Sequence, residues 1–407
     1  MTTLYRNARL ICPERGESTG DLLVVGDRIA GVGTVEAPAG AAIVDCRGKC
    51  LAPAIVDLGV FAIDKAACIA GGIVRVGLMP DQSPILDDPG IVQRAAAVGK
   101  PELWVHPIAA ATRELKGVDL AEMAINAEAG ARAVATGRRW IADAGVMARV
   151  LGYARDLGLT VVAHAEDAGL AADAVATAGE TATRLGLPAA PAIAEALAIA
   201  RDLMLAEQSG ASIHFRQVTT AAGFDLIRAA KARGVRATCG ITPAHLLLSD
   251  KAISDFRTFT RLSPPLRDEA DRAAALKALG DGTIDVLCSG HDPRGPEEKR
   301  LPFTDAAPGM SGAETLLALS INAARTAGLA LPRLFELLSR TPARLMALDA
   351  GTLTVGAPAD LVLFDADAPW QIVGEAMVAR AGNTPFDGLP VEGRVLRTIK
   401  GGVWLTA

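Results

Sequence analysis

Five histidines stand in this 407-residue sequence, at positions 106, 164, 214, 245 and 291. Three of them, His164, His245 and His291, follow short apolar runs, and carboxylates sit close by at Glu166, Asp167 and Asp292. Imidazole and carboxylate are the groups that ligate zinc or carry protons near neutral pH. A hydrolytic zinc site takes about three protein ligands, usually anchored by a pair at i, i+2 on a strand or i, i+4 on a helix. No histidine pair has either spacing. A metal site would have to be assembled from separate elements, with His164 and His291 joined by Asp57 or Asp292. Taken one at a time, each histidine is more simply a hydrogen-bonded structural residue. Glu166 and Asp167 have a similarly plain explanation, because the stretch DAGLAADAVATAG reads as a helix whose dipole favours acids in its first turn. The charged run RGPEEKR (294–300) reads as a solvated loop, with a partner contact or an anion clamp as the sharper alternative. There is no G-x-S-x-G elbow and no cysteine in a nucleophile motif.

Eight apolar runs can position these residues: 54–60, 73–79, 103–109, 132–136, 160–165, 212–218, 236–241 and 284–289. Helical periodicities separate them, such as Val146, Val150, Tyr153 and Leu157 before the fifth run and Phe224, Ile227 and Ala230 after the sixth. Eight such units over about 235 residues predict an α/β fold, a TIM (β/α)8 barrel, with His164, His245 and His291 at the C-terminal rim that carries chemistry in such barrels. A doubly wound sheet is the competing architecture, but the first run, AIVDLGVFAIDKAA, lacks its glycine-rich phosphate loop. The two ends have another texture, with short strands and tight turns over 1–52 and again over 351–407, including a Gly401-Gly402 hairpin. Neither end has enough apolar surface to stand alone. They predict one small β domain built from both, with the barrel over 53–350 inserted between them.

Half of the residues are apolar and 21% are charged, which excludes a disordered chain. The net charge is −5 and the basic residues are dispersed, which argues against nucleic acid as a partner. Every long apolar stretch is broken by charge before the ~18 residues a membrane span needs. The opening MTTLYRNARLICPERGE has charges where an export signal has its apolar core, so a cytoplasmic location is expected, with the six scattered cysteines as reduced core thiols.

In order along the chain, CRGKCLAPAIVDLGV (46–60), AGGIVRVGLMPDQSP (70–84), VVAHAED (161–167), TCGITPAHLLL (238–248), LSPPLR (262–267), APGMSGAETLL (307–317) and TPARLMAL with GAPADLVLFD (341–365) resemble the long-form dihydroorotases of the amidohydrolase superfamily. The resemblance covers nearly the whole chain and implies a TIM barrel with a flanking β domain and a metal-dependent hydrolase of a cyclic amide. The departures fall on the chemistry. Where the family's first strand ends in Asp-x-His-x-His, this chain has Asp57-Leu58-Gly59-Val60-Phe61. The bridging carboxylate after the fourth strand falls near Ala135-Thr136-Gly137. The fifth-strand histidine is kept as His164. The sixth-strand ligand falls at Gln217, and the catalytic aspartate falls at Gly290, just before His291 and Asp292. The substrate-binding arginine falls at Ile63, and the family's Met-Pro-Asn-Thr reads Met79-Pro80-Asp81-Gln82.

Hydrolysis of this kind needs a metal-generated hydroxide and an aspartate to shuttle the proton, and neither apparatus is legible. The resemblance then implies a non-catalytic member with a vestigial pocket of Asp57, Gly59, Phe61, Thr136, His164, Gln217, His245, Gly290, His291 and Asp292. That pocket is expected to hold no metal and to be partly filled by Phe61. Some dihydroorotase-like proteins are non-catalytic partners of aspartate carbamoyltransferase. That enzyme of pyrimidine biosynthesis is the expected partner, within an oligomeric assembly. Two other readings stay open. One is an active dihydroorotase or related cyclic-amide hydrolase with zinc on a divergent site of His164, His291, Asp292 and Asp57. The other is a small-molecule binding protein.

Overall fold

A computed structural model describes residues 2–406. Eight parallel strands follow one another: β1 (Ile55–Val60), β2 (Ile73–Leu78), β3 (Trp104–Ala110), β4 (Ala133–Ala135), β5 (Val161–Ala163), β6 (Ile213–Phe215), β7 (Ala237–Ile241) and β8 (Val286–Leu287). Each pairs with its neighbour in sequence. The ring is drawn together where the Phe61 N–H donates to the His291 carbonyl at 2.9 Å. This sequential order is that of a TIM barrel, whereas a doubly wound sheet reverses its order at a switch point.

The strands are rich in Val, Ile and Ala because both of their faces are buried. Inside the barrel, Val56, Leu58, Ile108, Ala133, Val162 and Val286 pack with Ala343 and Met346. The outer helices follow the expected periodicities. Ala144–Asp156 starts where Asp143 accepts the Val146 N–H at 2.8 Å, and it buries Val146, Met147, Val150, Leu151 and Ala154. Ala221–Ala232 is capped by Thr220 and buries Phe224, Ile227 and Ala230.

The stretch DAGLAADAVATAG departs from the helix expected of it. Only Ala168–Ala171 is helical, and Ala176–Thr177 then pairs with Ala189–Ala190. The four-residue turn buries none of its residues, so no apolar face exists to stabilise a longer helix.

Both chain ends build one eight-stranded sheet. Thr2–Cys12, Gly16–Val25, Arg28–Gly33, Ala42–Asp45 and Cys50–Pro53 come from the N-terminal side, and Leu361–Gln371, Pro390–Lys400 and Val403–Leu405 from the C-terminal side. The join is antiparallel, with Leu51 opposite Leu363. Tyr5, Leu10, Leu22, Ile29, Leu51, Leu361 and Ile399 form the core on one face. The last hairpin turns at Gly401 and Gly402, both at positive φ, which a two-residue turn of this kind requires. All six cysteines are buried and none is in a disulfide. Among the described residues, no helix is long and apolar enough to cross a membrane.

Candidate functional site

The C-terminal ends of the strands bring most of the anticipated residues to one rim, and β1 sets its shape. The register of β1 against β2 shifts between Leu58 and Val60, and Gly59 sits at a φ of 98°. That is a bulge in a conformation L side chains rarely adopt. Asp57, fully buried below it, accepts the Ser289 N–H at 2.9 Å and the Ser289 hydroxyl. Burial raises the Asp57 pKa, and the two bonds from Ser289 oppose the shift without cancelling it. Phe61 stands at the rim with two guanidiniums over its ring, Arg138 at 3.6 Å and Arg216 at 5.0 Å from the centroid.

Three histidines approach the rim; His245 has both ring nitrogens hydrogen-bonded, while His164 and His291 each turn Nε2 toward a carboxylate. His164 Nδ1 faces the Arg216 guanidinium at 3.4 Å, while Nε2 faces Glu166 at 3.5 Å. Its backbone N–H donates to Thr136 Oγ1 at 2.9 Å, which gives Thr136 a structural task. His245 Nε2 lies 3.0 Å from the Pro264 carbonyl, so the proton is on Nε2. Nδ1 then accepts from Gln217 Nε2 and from the Thr242 hydroxyl, each at 2.8 Å. Burial lowers the His245 pKa to about 4, which keeps the ring neutral. His291 Nδ1 accepts two backbone N–H groups, from Gly312 and Ala313, at 3.3 Å each. Its Nε2 is turned toward Asp64, 3.6 Å away.

The acids are equally committed. Asp292 accepts from Arg138 at 2.6 Å and from Arg294 at 3.0 Å. Glu166 lies 3.9 Å from the buried Arg267. Burial pushes the Glu166 pKa up, but His164, Arg267 and Arg216 together hold it below the usual carboxylate value. Glu166 therefore belongs to the rim network, and only Asp167 does the helix-capping work expected of the pair, accepting the Leu170 N–H. The convergence of His164 and His291 with Asp57 or Asp292 that a divergent metal site would require does not occur, because each side chain is drawn to a different partner.

What remains is a cavity of about 20 Å³, room for a single water molecule. Of the anticipated positions, Phe61, Gln217, His245, Gly290 and Asp292 line it, while Asp57, Gly59, Thr136, His164 and His291 lie behind its wall. Arg138 and Arg216 also line it. Sequence reasoning missed both arginines. The available signal was a charged residue at 216, just beyond the apolar run of β6 and beside position 217, where the resemblance places the sixth-strand ligand.

Zinc does not fit these residues. Gly59, Phe61 and Gly290 offer no donor, the Gln217 carbonyl oxygen accepts from Arg216 at 3.2 Å, and the buried guanidinium brings positive charge where a cation would sit. Among the described residues, no group of three or more His, Cys, Asp or Glu side chains is arranged to hold a metal ion.

The loop 294–300 is only partly the solvated loop expected of it. Pro296–Lys299 forms one helical turn. Lys299 is buried, its ammonium donating to the carbonyls of Ala307 at 2.7 Å, Thr258 at 3.0 Å and Arg261 at 3.4 Å. Glu297 and Arg300 remain exposed, while Glu298 is half-buried and accepts from Arg294 at 2.8 Å.

Residues 62–405 match the amidohydrolase family. The chain is 37% identical over 418 aligned positions to a dihydroorotase of Pelobacter propionicus, covering 99% of both chains. A dihydroorotase of Geotalea daltonii is 36% identical, with 99% of this chain and 98% of that one covered. Among solved structures, the L-hydantoinase (dihydropyrimidinase) of Arthrobacter aurescens superposes with a TM-score of 0.88 at 23% identity, covering 100% of this chain and 96% of that one. The dihydropyrimidinase of Brevibacillus agri does so with 0.84 at 21%, covering 100% and 95%. These structures share the barrel and its flanking sheet. On its sequence match and its fold together, this chain belongs to the amidohydrolase family.

Proposed function

We propose that this chain is a metal-free, non-catalytic relative of dihydroorotase that acts in the cytoplasm in pyrimidine biosynthesis, as a scaffold or regulatory subunit for aspartate carbamoyltransferase. The observation that carries the proposal is that His164, His245 and His291 each have Nδ1 already engaged by a protein donor, around a rim closed by Phe61, Arg138 and Arg216. A lone pair already accepting an N–H cannot ligate a metal, and the remaining cavity does not admit a cyclic amide substrate. The barrel and the terminal sheet are nonetheless fully built, as a binding role requires. The names of the relatives favour a second reading, an active dihydroorotase or related cyclic-amide hydrolase whose rim rearranges to admit metal and substrate.

The test takes protein purified from zinc-containing buffer, measures its metal content, and assays dihydroorotate hydrolysis. It then mixes the protein with aspartate carbamoyltransferase and follows co-elution and transferase activity. Absence of stoichiometric zinc and of hydrolysis, with co-elution and altered transferase activity, is the expected result. About one zinc per chain with turnover establishes the enzyme reading instead. Separate migration at micromolar concentration, with transferase activity unchanged, moves the small-molecule binding reading ahead.

A further inference from the structure

At the opposite, N-terminal mouth of the barrel lies a cavity of about 440 Å³. Its size falls within the range of small-molecule sites and is far larger than the space left at the rim. β2 contributes Arg75 and β3 contributes Trp104 and His106 to its wall, while Asp360 and Lys400 come from the terminal sheet side. Asp360 is the single carboxylate bonded to both Arg75 and Lys400, at 2.8 Å each. All three are buried, so this ion triad carries one net positive charge out of bulk water. Lys400 lies 4.2 Å and Arg75 4.6 Å from the Trp104 ring centroid, and Lys100 is also near it, at 5.4 Å.

Two further observations point to a ligand. His106 is 8% exposed, and its Nε2 is sealed from solvent with no hydrogen-bond partner. A buried polar atom without a partner is costly, and a ligand oxygen reached by a turn of the ring would remove that cost. Arg132, at the mouth, is exposed and has no carboxylate within ion-pair distance. Of the other charges on the wall, Arg28 pairs with Asp349 at 3.0 Å, and Asp27 also lines the cavity, near Lys400.

We infer that this cavity binds the phosphate group of a small phosphorylated molecule, with Arg132, Lys400 and His106 Nε2–H as its donors. A bare phosphate fills only part of the volume, so the rest of the molecule would lie along Trp104. The proposal is independent of what happens at the rim.

Calorimetric titration of the intact protein with inorganic phosphate and, separately, with ATP tests it. Saturable binding that weakens with added salt is expected, tighter for ATP than for phosphate. Equal affinity for the two would assign the site to free phosphate. Arg132→Ala removes a charge that supports no other contact, and His106→Phe keeps the wall apolar and filled. Each is expected to weaken binding ~10-fold or more while leaving the unfolding transition of Arg132→Ala unchanged. Absence of saturable binding to either probe, or affinity unaltered in both variants, overturns the proposal.

Discussion

A Cβ built on Gly59 would meet Cδ of Arg216 at 3.5 Å. The contact is an ordinary one, yet it means that any longer side chain at 59 runs directly into the arginine that fills the rim. The backbone there is also bulged at positive φ, a conformation that costs a non-glycine residue about 1–3 kcal/mol.

Restoring the family's two histidines is therefore expected to fail. Gly59→His with Phe61→His should lose stability and still bind no stoichiometric zinc by elemental analysis. Adding Arg216→Ala to that pair removes both the obstruction and the charge. If the double variant alone loads zinc, Arg216 is not the obstacle.

Stability should fall in mild acid. Burial holds the His214 and His245 pKa values at about 3 and about 4. In the unfolded chain the same groups titrate near the usual ~6.5. The unfolded state then takes up protons first, so their stabilisation is complete above that value and declines as pH falls toward about 4. At pH 5 the loss is roughly 2 kcal/mol per histidine. Urea unfolding across this range should show it, and His214→Gln should flatten the dependence. A midpoint constant from neutrality to pH 5 would contradict it.

The 294–300 loop should divide into two kinds of position. Exchanging the signs of Glu297 and Arg300 is expected to change stability by less than ~0.5 kcal/mol while slowing association with a charged partner. Lys299→Glu faces three carbonyls with a carboxylate and should cost ~3 kcal/mol or more. Thermal melts of the two variants separate these effects, and equal melting temperatures would remove the distinction.

Behind the rim, Glu195 should prove a keystone. It accepts the N–H groups of Thr219 at 2.9 Å and Thr220 at 2.8 Å, both of their hydroxyls, and the Arg267 guanidinium at 3.4 Å. Glu195→Ala would leave Arg267 with Glu166 at 3.9 Å as its remaining acid. The expected loss is about 3–5 kcal/mol, measured by denaturant unfolding; a loss below ~1 kcal/mol would show that the threonine turn holds itself.

The barrel and the joined chain ends were legible in the sequence because apolar runs and turn glycines report local geometry directly. Gly59 and Phe61 were legible as positions without a metal donor because their side chains offer no ligating atom whatever surrounds them. The roles of Arg138 and Arg216 were not, since they depend on three strands converging over one phenyl ring, a relation absent from local pattern. Glu166 was misjudged for a similar reason. Its position beside a helix start suggested a dipole contact, whereas tertiary packing turned it toward His164 and Arg267. Lys299 looked solvated because its neighbours are charged, and only the carbonyls of distant loops explain its burial.

The join of Leu51 to Leu363 also governs how the molecule is made. At about 5–20 residues per second, a ribosome needs roughly 15–60 s to travel between such partners. Through that interval the edge of Cys50–Pro53 stays open, and the whole barrel is synthesised before its final neighbour emerges. A nascent chain halted before Leu361 would expose that edge to other strands and to proteases. The terminal sheet thus acts as a seal that only a fully translated chain can close.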